Sequence, residues 1–134
     1  IKRLDRNITK RNQNFKYFFN NLDKNIFFTD FDLTGQSNYA LNVILKNKNH
    51  KLMSKILQNL EKEGIEYRRG SAGGGNQLRQ PYLKKFVSKK QIKELKNTEH
   101  MHFFSFYIGN YPELTLNSID KIIKILNSVK LWKF

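Results

Sequence analysis

Cysteine is absent from the 134 residues, which excludes disulfides, thiolate nucleophiles and thiolate-bound zinc. Acidic side chains are scarce, 11 against 25 lysines and arginines, and the formal charge is +14. Such an excess fits polyanionic company: nucleic acid, an acidic membrane surface or a phosphate-bearing small molecule. A genome that favours lysine and asparagine codons would produce the same excess without any partner. No apolar run approaches the ~20 residues of a membrane span, and no signal peptide precedes the first element. The expected location is therefore the cytoplasm, with no membrane partner. Glycine and proline are rare outside one stretch: four of the seven glycines lie between Gly70 and Gly75, and the prolines are Pro81 and Pro112. What is present is enough to fold, since 39% of residues are hydrophobic and 13% aromatic. The length suits one domain with a modest core. The first residue is Ile1 rather than methionine, which suggests a piece of a longer polypeptide.

Apolar spacing predicts the elements. Ile1, Leu4, Ile8, Phe15, Phe18 and Leu22 form a narrow stripe at helical spacing, with basic residues on the other faces, so residues 1–24 read as a connector helix leaning on a partner or a missing domain. "TDFDLTGQSN" (29–38) is turn-rich, and Asp30 and Asp32 there suit Asx-type turns better than an acid pair. "YALNVIL" (39–45) reads as a strand with Tyr39, Leu41, Val43 and Leu45 on one face. A helix follows on Leu52, Met53, Ile56, Leu57 and Leu60, with Asn49 as its cap and Gly64 as its stop. "IEYRR" (65–69) alternates as a second strand, Ile65 and Tyr67 inward. "LKKFVSKKQIKELK" is a basic surface excursion with one helical turn, "NTEHM" a short helical start capped by Asn97, and "FFSFYIG" (103–109) an aromatic strand with Phe104, Phe106 and Ile108 on one side. Thr115 caps a last helix, stapled by Leu114 and Ile119, whose stripe is Ile119, Ile122, Ile123, Leu126 and Val129. The expected fold class is α+β: a small, mostly antiparallel sheet with helices packed on one face, over residues 37–134, preceded by the connector helix.

The stretch "GIEYRRGSAGGGNQLRQPYLKK" (64–85) is the candidate site. Gly70 and Gly75 have the GxxxxG spacing, but Asn76 and Gln77 stand where a triphosphate loop needs lysine and then serine or threonine, and Pro81 prevents the following helix. The GxGxxG pattern is absent as well. A more general reading remains. Gly73, Gly74 and Gly75 let backbone N–H groups approach a ligand closely, and Arg68, Arg69 and Arg79 carry guanidinium forks suited to phosphate oxygens. A surface loop with chance arginines is the alternative, and the residues leave both open. Asn76, Gln77 and Gln80 favour a site, because such side chains can read sugar or base edges.

"FYIGNYP" (106–112) looks like the strand by which RNA-recognition domains stack bases. With +14, a small RNA- or DNA-binding module is the competing function. The position argues against it, because that motif belongs on a first strand with a partner motif later, and here only a helix follows. His100 and His102 would chelate a metal only on one strand face, and no cysteine or paired carboxylate completes a ligand set. No nucleophile, base and orienter come together, so no catalytic residue is assigned.

Together, "GIEYRRGSAGGGNQLRQPYL" and "NTEHMHFFSFYIGNYPELT" resemble the C-terminal domain of the DegT/DnrJ/EryC1/StrS enzymes. These are pyridoxal-phosphate-fold aminotransferases and dehydratases of nucleotide-linked sugars. The branch containing the nucleotide 4-keto-6-deoxyhexose 3-dehydrases is the most similar. The resemblance runs from about Tyr39 to Val129, and the opening helix suits the family's connector; Gly74 and Gly75 lengthen the loop relative to the family pattern. The resemblance implies a substrate-side domain that supplies part of the sugar-nucleotide pocket in deoxy- or aminosugar synthesis for surface polysaccharide such as lipopolysaccharide. It implies Arg68, Asn76 and Arg79, then Asn110 and Tyr111, as contacts to a nucleotide-diphosphate sugar. It also implies a large domain absent from this chain that holds the PLP or PMP, and a homodimeric parent. No lysine of this chain is assigned as the cofactor's covalent partner.

Overall fold

The computed structural model describes residues 2–72 and 75–131. It has five α-helices and two strands: α1 (Leu4–Asn21), β1 (Ala40–Ile44), α2 (His50–Lys62), α3 (Lys89–Glu94), α4 (Lys96–Phe104), β2 (Ser105–Gly109) and α5 (Leu116–Asn127). Short 3₁₀ turns sit at Gly70–Ala72, Gln77–Arg79 and Pro81–Leu83, and another, Ser128–Leu131, follows α5. The architecture is the expected α+β.

β1 and β2 pair antiparallel, with Leu41 opposite Ile108 and Val43 opposite Phe106. All four of these side chains are buried, and such directly opposed apolar pairs stabilise a sheet and fix its register. α5 touches both α1 and α2. Its stripe of Ile119, Ile122, Ile123 and Leu126 is buried, as are Met53, Ile56, Leu57 and Leu60 of α2. The expected caps are in place. Asn49 Oδ1 accepts from the Leu52 N–H at 2.9 Å, and Thr115 Oγ1 accepts from the Ser118 N–H at 3.2 Å. Gly64 ends α2 at φ +68°, where a side chain would be strained.

The structure differs from the sequence reading at four points. First, α1 is no mere attachment: Phe15, Phe18, Phe19 and Leu22 are core residues, and Phe15, Phe19 and Phe31 form tilted and edge-on ring contacts. Phe19 lies outside the stripe counted from the sequence and widens the apolar face. At its amino-terminal end the helix is more exposed, with Leu4 half exposed. The second half is tied to α5 by Tyr17 Oη donating to Asp120 at 2.7 Å and Asn127 Nδ2 donating to the Asn21 carbonyl at 2.8 Å.

Second, "IEYRR" is extended but pairs at one point, where Arg68 and Tyr107 exchange two backbone bonds of 2.9 Å. Gly70, at φ +54°, then turns the chain away before a ladder can form. Ile65 and Tyr67 still pack on the core. Third, α4 begins at Lys96, one residue before Asn97, and Leu95 stands at the cap position without a side-chain bond. The helix runs on to Phe104, so His100 and His102 are helical and β2 begins only at Ser105. Fourth, Tyr39 does not share the buried face of Leu41 and Val43; it is exposed. In β2 the side chains of Phe106 and Ile108 are buried, so the strand that looks like an RNA-stacking motif gives Phe106 to the core and keeps Tyr107 on its other face.

Phe18→Ala should lower the unfolding free energy by about 3–5 kcal/mol, the usual cost of emptying a fully buried phenylalanine site. Leu4→Ala should change it by less than about 0.5 kcal/mol. Urea titrations of the two variants check this, and equal effects would mean that α1 does not join the core at its midpoint.

Candidate functional site

The loop that follows Arg68 is shaped against α4. Gly75 donates its N–H to the Gly70 carbonyl at 2.8 Å. A Cβ on Gly75 would overlap the His102 ring and lie 2.7 Å from the Gly70 carbonyl carbon and oxygen. Glycine is thus required at Gly75 by packing inside the protein. Gly73 and Gly74, the other two glycines expected to approach a phosphate, lie outside the described residues.

Asn76 follows, buried to 1% exposure. Its backbone N–H donates to His102 Nδ1 at 3.0 Å, its side-chain Nδ2 donates to Glu99 Oε1 at 2.7 Å, and its Oδ1 accepts from the Leu78 N–H at 3.0 Å. Every arm of the residue is used to fold the loop. Because Nδ1 of His102 accepts, the ring is neutral and its proton sits on Nε2. Arg79 meets the same carboxylate with two bonds, Nε to Glu99 Oε1 at 2.7 Å and Nη2 to Oε2 at 2.5 Å. Its guanidinium also lies 4.6 Å from the centre of the Phe103 ring, and Arg69 Nη2 donates to the Phe103 carbonyl at 2.8 Å. Two arginines therefore converge on Phe103, one on its ring and one on its carbonyl.

Charge follows from this geometry. The Arg79 bonds, helped by Asn76, hold the Glu99 carboxyl well below its usual value of 4.5, at about 2. Burial lowers the His102 pKa first, and the Arg79 charge beside it acts in the same direction, against the opposing pull of Glu99. The arginine expected to offer its fork to a phosphate has given two of its N–H groups to Glu99, one from Nε and one from Nη2, and the donors that remain are two on Nη1 and one on Nη2. Glu99 was not singled out from the sequence. The signal was there, a lone acid in the "NTEHM" turn between a lysine-rich segment and an aromatic strand.

Asn110 and Tyr111 lie at the other end of the five-residue β2. The Asn110 side chain is buried and committed: Nδ2 donates to the Arg11 and Asn38 carbonyls at 2.9 and 2.7 Å, and Oδ1 accepts from Asn14 Nδ2 at 3.3 Å. It ties α1 and the 29–38 loop to the end of the sheet. Tyr111 is exposed. It lines a cleft of about 620 Å³ together with Arg68, Tyr39, Tyr67, Tyr107 and Lys121, a size that suits a small-molecule site. The Tyr39 and Tyr107 rings meet edge-on at 6.0 Å, and Lys121 pairs with Glu63 at 3.0 Å.

The candidate residues thus form two groups. Gly75, Asn76 and Arg79 are joined through Glu99 and His102. Arg68 and Tyr111 share the tyrosine-lined cleft, above the anchor made by Asn110. Sequence reasoning missed Tyr39 and Tyr107 because a tyrosine at a strand edge reads as packing.

Among the described residues no three His, Asp or Glu side chains gather to hold a metal. His100 Nε2 donates to the Leu45 carbonyl at 2.6 Å, and His102 is engaged by Asn76.

Both shifted groups work in one direction with pH. Each has a folded pKa below its ordinary value, so its contribution to stability is complete above that value and is lost as the pH falls. For His102 the loss begins below 6.5; for Glu99 it runs from 4.5 down to about 2. Glu99→Gln should cost about 1–2 kcal/mol at neutral pH and should flatten the stability profile between those two Glu99 values. Thermal midpoints recorded across that range test this, and a variant that keeps the wild-type acid limb would show that Glu99 does not carry it.

Comparison with curated protein sequences gives no match. Solved structures share the fold. PseC of Helicobacter pylori, described as an aminotransferase involved in the biosynthesis of pseudoaminic acid, superposes with a TM-score of 0.79 over 98% of this chain and 35% of its own, at 16% identity. The putative sugar aminotransferase Spr1654 of Streptococcus pneumoniae gives 0.77 over 97% and 32%, at 12% identity. The GDP-4-keto-6-deoxy-D-mannose-3-dehydratase of E. coli, solved with bound hydrated PLP, gives 0.70 over 93% and 32%, at 21% identity. The chain spans about a third of the length of each. A family model described as the DegT/DnrJ/EryC1/StrS aminotransferase family matches residues 1–127. With nearly the whole chain matched and the fold shared, this protein belongs to the DegT/DnrJ/EryC1/StrS aminotransferase family.

Proposed function

We propose that this chain is the C-terminal, substrate-side part of a PLP-dependent nucleotide-sugar aminotransferase or 3-dehydratase. It is a fragment that forms one wall of the sugar-nucleotide pocket and carries no catalytic residue of its own. The parent enzyme would make a deoxy- or aminosugar for surface polysaccharide, as a homodimer in the cytoplasm. Family membership, the shared fold and a span of about a third of the neighbours' length support this. The observation that carries it furthest is the meeting of Arg68 and Tyr111 with Tyr39 and Tyr107 on one 620 Å³ cleft. A guanidinium fork beside phenol rings suits a ligand with a diphosphate and ring systems.

The five candidate residues then divide the work. Arg68 contacts phosphate oxygens and Tyr111 contacts sugar or base. Asn110 holds the strand end from which Tyr111 projects. Asn76 and Arg79, clamped by Glu99, hold the loop as the second part of the wall. Arg79 still has donors to offer the ligand beyond those given to Glu99. PLP, bound by the large domain of the parent, supplies the electron sink for chemistry at the sugar carbon. The residues of this chain bind and orient the substrate.

In a parent enzyme carrying this domain, Arg68→Ala should raise KM for the sugar nucleotide about tenfold or more, the loss of one charged hydrogen bond, with kcat less affected. Tyr111→Ala should act in the same direction. Steady-state kinetics on both variants decide the matter, and an unchanged KM in both would retire the cleft as a substrate site.

A further inference from the structure

The segment from Pro81 to Lys96 belongs neither to the cleft nor to the Glu99 clamp. It holds six lysines, Lys84, Lys85, Lys89, Lys90, Lys93 and Lys96, against a single acid, Glu94. Among the described residues none of these lysines makes an ion pair. Three of its large apolar side chains face outward: Phe86 is 78% exposed, Tyr82 63% and Leu95 43%, while Leu83, Val87 and Ile92 are partly covered. No residue of the segment is buried. Its local form is nevertheless well specified. Pro81–Leu83 is a 3₁₀ turn, and Ser88 and Gln91 close a capping box at the start of α3. A phenylalanine displayed on an ordered turn, with Lys84, Lys85, Lys89 and Lys90 close to it in sequence, is a surface that lacks its partner.

We propose that this segment docks peripherally on an anionic lipid surface, with its lysines at the headgroups and Phe86 and Tyr82 entering the interface. The charge is of one sign and diffuse, as a sheet of anionic headgroups requires. An aromatic ring among lysines is the composition of interfacial anchors. The surface continues at Lys96, which lines a 430 Å³ groove with Phe28, Met101, Lys46 and Lys48. Single-stranded RNA is the other polyanion to consider. It favours arginine and a flat aromatic platform, whereas no arginine follows Arg79 and Phe104 and Phe106 are buried. Among the described residues no helix is long and apolar enough to cross a membrane, and a peripheral anchor needs none. The inference uses none of the cleft residues and stands apart from the nucleotide-sugar reading.

Co-sedimentation of the 134-residue chain with vesicles tests it. The chain should bind vesicles of mixed phosphatidylglycerol and phosphatidylcholine, bind phosphatidylcholine alone far less, and leave the mixed vesicles at high salt. Phe86→Ser should weaken binding about tenfold, and the Lys84→Gln, Lys85→Gln double variant about fivefold for each lysine. All three side chains are exposed, so unchanged circular dichroism should accompany the loss. Failure to bind the mixed vesicles, equal binding to neutral ones, or full binding by Phe86→Ser would overturn the proposal. So would a chain that ignores vesicles but holds single-stranded RNA through the same lysines.

Discussion

A loop with several glycines and little secondary structure has to be held from outside, and here one carboxylate does most of the holding. Ordering backbone costs about 1–2 kcal/mol per residue, and among its described residues the segment from Arg69 to Gln80 has two short 3₁₀ turns. Glu99 takes two N–H groups from Arg79 and one from Asn76. His102 and Phe103, three and four residues further along α4, lie on the same helix face and take the Asn76 N–H, the Arg69 fork and the Arg79 π contact. α4 is in turn fixed to the sheet, because the Leu45 N–H donates to the Phe104 carbonyl at 2.9 Å and His100 donates to the Leu45 carbonyl. The path of the loop is therefore inherited from β1 through a single helix.

That chain of dependence explains what the sequence could and could not show. α2 and α5 were legible because each has a one-sided stripe bounded by its own cap, signals that are local. The second half of α1 was not. Phe19 stands four residues after Phe15 on the same face but is not counted in the stripe, and its ring packs on Phe31, a residue in a turn-rich segment with no periodicity at all. The strand at Ile65–Arg69 was legible in its alternation but not in its pairing, since a strand needs a neighbour along its length and Gly70 removes the chain after one bridge. At the loop, the sequence marked glycines and arginines as a special feature, yet a residue's partners are non-local. Glu99 lies twenty residues beyond Arg79, and nothing in either segment alone announces that the two meet.

The arginines and lysines have separated into different kinds of work. Of the six arginines, Arg11 bonds the Ser37 carbonyl, Arg69 the Phe103 carbonyl and Arg79 the Glu99 carboxylate. Each fastens its own stretch of chain to a distant one, and Arg79 does so with the two-pronged geometry that an ammonium lacks. The lysines are concentrated where the surface is exposed, above all from Lys84 to Lys96. A basic count read from composition treats the two as one quantity. Three of the six guanidinium groups are spent inside the fold, so the charge left to face a partner is mostly ammonium.

This division bears on which anionic partner each region can distinguish. Arg68 is the arginine that faces the tyrosine cleft, with its backbone pinned to Tyr107 and its side chain exposed. A rigid backbone beneath a free fork gives a direction to the bonds it makes, which is what recognition of a single small ligand needs. The lysine segment offers neither a fixed direction nor a pocket; it offers charge density beside an exposed ring. The site proposed at the cleft would select a molecule, and the surface proposed at the lysine segment would select only a sign of charge. Those two properties follow from where the fold used its guanidinium groups.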